Sequence, residues 1–182
     1  MVNAGGPSVS RIDPDTNRVV ATIRVGPKVA CCSEHFSLIA AYGAVWVGIP
    51  NENRIVHLDP AANRVVASVK LPYPPCAFLA ADSDALWSTG GGCADMVARI
   101  DPEMKKVTAK LDEPHPVGLA LAFGSVWVAV LGSSNVDQID PRTGRLVARL
   151  PVGGTPVRLA VGFGSVWVND DDGRVLRIQP PR

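Results

Sequence analysis

Charge of a single sign is what this 182-residue chain lacks most plainly: 18 Lys and Arg stand against 17 Asp and Glu, a formal net charge of +1. That balance argues against nucleic acid or an anionic membrane surface as a partner. Long hydrophobic runs are missing too. Stretches such as Ser37 to Pro50 are broken by Gly and Pro before the ~20 apolar residues that a spanning helix needs, so no membrane span is expected. Met1 leads into Val2, Asn3, Ala4 and Gly5 with no basic start and no apolar run, which predicts no secretory leader. No segment carries a helical period with caps at both ends. The Gly-x-Ser-x-Gly elbow, the phosphate-binding loop and the His-Glu-x-x-His zinc motif are absent. Aromatics are sparse at 5%, yet apolar residues reach 47%, which excludes a disordered chain. The 17 Gly and 16 Pro are spread along the whole length.

What is present is a repeat. Arg-Ile-Asp-Pro at 11–14 returns as His-Leu-Asp-Pro at 57–60, Arg-Ile-Asp-Pro at 99–102, Gln-Ile-Asp-Pro at 138–141 and Arg-Ile-Gln-Pro at 177–180. A second marker, centred on Trp46, Trp87, Trp127 and Trp167, steps by 41, 40 and 40 residues. Two independent markers with one period establish the repeat.

Each unit reads as four short strands. An apolar run such as 157–161 or 118–121 is followed by a turn centred on Gly164 or Gly124, and then by the Val-Trp-Val strand. After a polar turn, a third strand alternates with period two and ends in Asp-Pro. Asp140 to Gly144 has hairpin chemistry: Asp bonds the backbone ahead, Pro presets φ, and Gly144, or Asn17 and Asn63 in other copies, tolerates the left-handed region. Fourth strands follow at 18–23, 64–69, 106–111 and 145–150. Four-stranded antiparallel units at about 40 residues predict an all-β fold, a β-propeller. The chain divides into a partial blade over 1–23, blades over 36–70, 77–111 and 117–150, and a partial blade over 157–179.

The stretches VGGTPVRLAVGFGSVWVND and RIDPDTNRVVATIRVG resemble the repeats of bacterial YVTN-type and virginiamycin B lyase-like propellers, over essentially the whole chain. This resemblance implies the propeller fold. For function it implies a surface, sensor, regulatory or, in a few cases, enzymatic protein. The lyases use a His and Glu constellation with magnesium, which has no residue-by-residue match in this chain.

Register at the ends predicts that Met1 occupies a Trp position, so that the chain begins inside a blade, and that it stops without a fourth strand. Two outcomes follow. Residues 157–168 could pair onto the N-terminal strands and close a four-bladed ring, displacing 174–178. Alternatively the chain is an arc of a larger ring, since seven blades would need roughly 280 residues. The arc is the preferred reading, and it calls for a partner or a second copy, a homodimer completing the ring, to cover its open faces.

Propeller connectivity puts the loop entering each first strand and the loop between strands two and three on one face. That face receives Cys31, Cys32, Glu34, His35, Cys76, Cys93, His115, Asp170 and Asp171. Cys76 and Cys93 fall in one blade, which makes them the expected disulfide. Similar propellers show Cys at this pair of positions, and such a bond implies an oxidising, extracytoplasmic compartment. Cys31, Cys32, Glu34, His35 and His115 offer thiolate, carboxylate and imidazole groups of the kind that hold zinc or another transition metal, without the spacing that would specify a site, while magnesium is what the lyase-like resemblance implies. Asp170, Asp171 and Asp172 lack calcium-loop spacing and read as a solvated turn. The tryptophans read as core, and His57 as a polar residue on a third strand. The preferred function is a noncatalytic module binding a protein, peptide or small ligand through this loop face. The rivals are a lyase opening a cyclic depsipeptide by elimination, and a fragment without independent function.

Overall fold

The structure is a computed structural model that describes residues 1–3, 8–27, 37–76 and 78–180. Its strands fall into five antiparallel sheets in chain order. The first holds β1 (Val2–Asn3), β2 (Ser8–Asp13) and β3 (Arg18–Arg24). The second holds β4 (Leu38–Ala41), β5 (Ala44–Ile49), β6 (Arg54–Asp59) and β7 (Arg64–Lys70). The third holds β8 (Leu79–Ala81), β9 (Leu86–Thr89), β10 (Met96–Asp101) and β11 (Lys106–Asp112). The fourth holds β12 (Pro116–Ala122), β13 (Ser125–Val130), β14 (Asn135–Ile139) and β15 (Leu146–Pro151), and the fifth β16 (Pro156–Gly162), β17 (Ser165–Asp170) and β18 (Val175–Ile178). Among the described residues strands pair only with sequence neighbours, as in propeller blades. Among the described residues no helix is long and apolar enough to cross a membrane.

Turn chemistry explains why the hairpins recur. Asp13, Asp59, Asp101 and Asp140 each accept a backbone N–H from two residues ahead at 2.7–2.9 Å. Such backbone N–H groups, at Asp59 that of Ala62 ahead of that of Ala61, hold the carboxyls of Asp13, Asp59 and Asp140 below their ordinary range. Asn17, Asn63 and Gly144 do take the left-handed conformation, and so does Lys105, which the composition of its turn did not announce. The first hairpin of three sheets turns on Tyr42-Gly43, Phe123-Gly124 and Phe163-Gly164, with both residues at positive φ, the geometry whose twist matches that of the strands.

The core is divided into four slabs, one at each junction between successive sheets. Val9, Ile23, Val47 and Val56 fill the first junction, and Trp46, Leu71, Tyr73 and Ala98 the second. Trp87, Leu111, Val126 and Val128 fill the third, and Trp127, Val136 and Val166 the fourth. Trp46, Trp87 and Trp127 are buried, as read from the sequence, while Trp167 of the last sheet is only half-buried, with the Arg177 guanidinium 5.6 Å from its ring centre. Gly118 lets β12 approach β16: a Cβ there would lie 2.8 Å from the Val157 carbonyl oxygen.

Two end-of-chain expectations need correction. The four-bladed closure does not occur, because β17 pairs with β16 on one edge and with Val175–Ile178 on the other, leaving it no edge for the first sheet. Five sheets form an open arc, and the first and last share no strand pairing among the described residues. Met1 is not at the Trp position. The four tryptophans face His57, Arg99, Gln138 and Arg177, whereas Met1 exchanges two 2.8 Å backbone bonds with Ser10, one residue before Arg11. Val2 pairs with Val9 where Asn169 pairs with Val175, so the first turn back is one residue longer than the last.

Candidate functional site

Among the described residues, the connections that enter the third, fourth and fifth sheets meet the turns between second and third strands at one end of the strands. Cys31, Cys32, Glu34 and His35 fall outside the described residues. Their convergence with His115 into a metal centre is therefore left without geometry, and among the described residues no three His, Cys, Asp or Glu side chains form a group that would hold a metal.

Cys76 and Cys93 form a disulfide with Cα atoms 6.1 Å apart. It ties the connection entering the third sheet to the turn between β9 and β10 of that same sheet. Their proximity was legible in the sequence because the repeat fixes which loops are neighbours.

His115 sits in the connection between the third and fourth sheets at φ +43. Its backbone N–H donates to Asp95 Oδ1 at 2.9 Å, its imidazole Nδ1 lies 3.9 Å from the same oxygen, and its carbonyl accepts the Leu131 N–H at 3.0 Å. The ring is exposed at the rim of a hollow of about 490 Å³, lined by Pro114, His115, Val130, Leu131, Gly132 and Ser133. This hollow has an apolar floor and a titratable rim, built on short, fixed turns.

Asp170 and Asp171 do different work from each other. Asp170 is buried, accepts the Arg174 backbone N–H at 2.9 Å and its Nε at 2.8 Å, and pairs with Nη2 at 2.6 Å. Burial pushes its carboxyl up, but the Arg174 N–H groups and charge outweigh that and hold it below the ordinary carboxylate range. Asp172 meets the same guanidinium at 3.3 Å, while Asp171 is exposed and donates its N–H to the Thr155 carbonyl at 3.0 Å. The triplet is a turn whose charge is answered by its own arginine.

The most unusual chemistry lies just beneath this face, and the sequence reading passed over it. Glu113 is 5% exposed and Asp137 is fully buried. Arg149 grips Asp137 through both oxygens, Nε to Oδ1 at 3.0 Å and Nη2 to Oδ2 at 2.6 Å, and its Nη2 lies 3.8 Å from Glu113 Oε1, which has no hydrogen-bond partner. Burial, then the Asp137 charge and a hydrogen bond to it, push the Glu113 carboxyl up to about 7 against the pull of Arg149. A signal was there: comparing Leu71-Pro-Tyr-Pro with Glu113-Pro-His-Pro shows an acid replacing an apolar residue at one repeat position.

At the opposite end of the strands, His57 stacks on Trp46 with ring centres 4.7 Å apart and planes 17° apart. Burial, reinforced by Lys105, holds its imidazole below the ordinary range, and its Nδ1 has no partner. Indole N–H groups of Trp46, Trp127 and Trp167 donate to the carbonyls of Ala41, Ala122 and Gly162 at 3.0–3.2 Å. The Trp87 N–H has no partner, and the matching carbonyl, that of Asp82, instead accepts the Tyr42 hydroxyl at 2.8 Å.

No protein-family model matches the chain, and no curated protein matches it in sequence. Solved structures do match in fold. Hydrazine synthase from Kuenenia stuttgartiensis aligns at TM-score 0.70 and 15% identity, over 95% of this chain and 60% of that one. A chain of a mitotic checkpoint complex aligns at TM-score 0.78 and 14% identity, over 97% and 57%. BamB from Moraxella catarrhalis aligns at TM-score 0.73 and 16% identity, over 93% and 52%. These neighbours are β-propeller proteins, and at such identities they show the fold alone. This chain spans between about half and three fifths of their length.

Proposed function

We propose that this chain is a noncatalytic β-propeller module, of the kind built from YVTN-type and virginiamycin B lyase-like repeats, that binds a peptide segment of a partner through its loop face. One observation carries the reading: polar groups fix the turns of the described part of this face, and the turn that Asp95 holds at His115 borders an open, largely apolar hollow. The disulfide, the Asp95 contacts to His115 and the Asp170–Arg174 pair each rigidify a turn. A preformed recess of this kind lowers the ordering cost of binding. The disulfide further supports an oxidising, extracytoplasmic setting for the module. The mitotic checkpoint chain, by the name of its structure, works within an assembly, which fits a binding role for such a scaffold.

Selection of displayed peptides on the oxidised protein tests this, followed by titration of the selected peptide. Leu131→Glu on the hollow's floor should weaken binding about tenfold or more. Phe163→Ser, at a 94% exposed residue at the opposite end of the strands, should leave it unchanged. Equal loss in both variants, or magnesium-dependent opening of a cyclic depsipeptide by the wild-type protein, would overturn the proposal.

A further inference from the structure

Repeat geometry gives each sheet junction the same pair of facing positions. One is the residue that immediately follows the outer strand, where the N–H groups of Leu71, Glu113 and Val152 donate to the carbonyls of Asn53, Asp95 and Ser134 at 2.7, 3.2 and 2.9 Å. The other is the third-strand residue just before the one that faces Trp. At the first junction this pair is Val25 and Val56, at the second Leu71 and Ala98, and at the fourth Val152 and Leu176, all apolar and all within their junction's core slab. At the third junction alone it is Glu113 and Asp137.

We propose that the junction between the third and fourth sheets is a proton-linked joint, in which Glu113 takes up one proton against Asp137 and so sets how firmly the two sheets pack. The groups that face Glu113 are few. From β14 comes Asp137, and from β15 comes Arg149, whose guanidinium is already committed to both Asp137 oxygens. From the segment before β10 comes the Asp95 main-chain carbonyl, while the Asp95 carboxylate serves His115, with both side chains largely exposed. With Glu113 protonated, its O–H is shared with the Asp137 carboxylate, and one negative charge faces one guanidinium. Loss of that proton to solvent leaves two buried carboxylates on one cation, the half-exposed guanidinium of Arg149. The unpartnered Oε1 of Glu113 is the structural mark of that deficit.

The sign follows from linkage. The folded-state value, about 7, stands above the ordinary 4.5 of an unfolded Glu. Glu113 therefore adds no penalty below the unfolded value, and stability is lost progressively as pH rises through the folded one. The test is a carbon-detected NMR titration of the Glu113 carboxyl in the whole oxidised protein, with urea midpoints measured between about pH 5 and pH 8. Glu113 should titrate near neutrality, apart from the exposed carboxylates. The wild-type midpoint should fall over that range relative to Glu113→Gln, whose own curve reports the remaining groups. Glu113→Leu, which installs the second junction's residue, should show the same loss of pH response. A Glu113 resonance that titrates with the exposed acids, or equal slopes in wild type and both variants, would refute the joint. The NMR titration needs only the wild-type chain, so it decides the matter even where a variant fails to fold.

Discussion

Leu71-Pro-Tyr-Pro and Glu113-Pro-His-Pro are one connection written twice, each leaving the outer strand of a sheet toward the inner strand of the next. In the first copy Leu71 packs on Ala98, and Tyr73 turns inward, buried, donating its hydroxyl to the Ser88 carbonyl at 2.7 Å. In the second, Glu113 meets Asp137, and His115 sits at φ +43 with its ring in solvent. Leu71 and Glu113 hold the same register at the end of their sheets. The first connection then runs two residues longer before the matching inner-strand residues Leu79 and Leu119, and the chemistry at the joint is opposite. The repeat therefore specifies where the facing side chains lie and leaves open whether they join by apolar contact or by charge. An apolar pair is satisfied at every pH; an acid pair with one cation is satisfied over only part of the range.

Removing the cation should break this comparison hardest. Arg149→Met leaves Asp137, with no exposed surface, and Glu113 without a counter-charge, which should cost about 4 kcal/mol near pH 8. As pH falls and Glu113 protonates, the deficit should shrink, so urea midpoints of the variant should rise on acidification more steeply than those of wild type. A pH-independent loss would mean that Arg149 acts through packing of its stem.

Importing the acid into the second junction comes next. Ala98→Asp places a carboxylate against Leu71, where the cross-strand partner is Lys110 instead of Arg149. An ammonium lacks the two-pronged geometry that Arg149 offers Asp137, so a loss of about 3 kcal/mol is expected. Ala98→Asp with Lys110→Arg should recover about 1 kcal/mol of it in thermal unfolding. No recovery would show that the third junction depends on more than its three charged side chains.

The disulfide distinguishes the junctions in another way, because it clips the connection that enters the third sheet, whereas the next connection is held by Asp95. The closed loop spans a sequence separation of 17, so Cys76→Ala with Cys93→Ala should cost between about 2 and 3 kcal/mol. It should leave the pH response of Glu113 intact, since neither cysteine is among the groups facing that residue.

Sequence reading reached the scaffold because a 40-residue period forces it: Asp-Pro turns, Gly turns and Val-Trp-Val strands recur at fixed steps. It also reached the cysteine pair, whose loops share one sheet. What it passed over lies in side-chain pairs about 25 residues apart, Glu113 with Asp137, that only the register between neighbouring sheets joins. An acid just after an amphipathic strand looks solvated until the next sheet is laid over it. The last sheet was also harder to read at its edge. Val161 and Val175 fit the repeat as well as Leu121 and Val97, which are half-buried and buried, yet they are exposed because no further described sheet packs on β16–β18.

The smallest effect concerns the residue two places beyond each pair. Tyr73→Phe removes only a hydroxyl, but that hydroxyl is buried and its carbonyl partner is left short, so a loss of about 1 kcal/mol in urea unfolding is expected. Burial holds the Tyr73 phenol up at about 12, so no change of this contact is expected through the neutral range. His115→Tyr should not repair the third junction in return. Its left-handed backbone aims the side chain outward, so a tyrosine there should stay in solvent and alter stability by less than about 0.5 kcal/mol. If His115→Tyr instead stabilised the protein as much as Tyr73 does in its own place, the two connections would be interchangeable. The opposite orientation of their side chains would then follow from residue type, with no part played by the backbone.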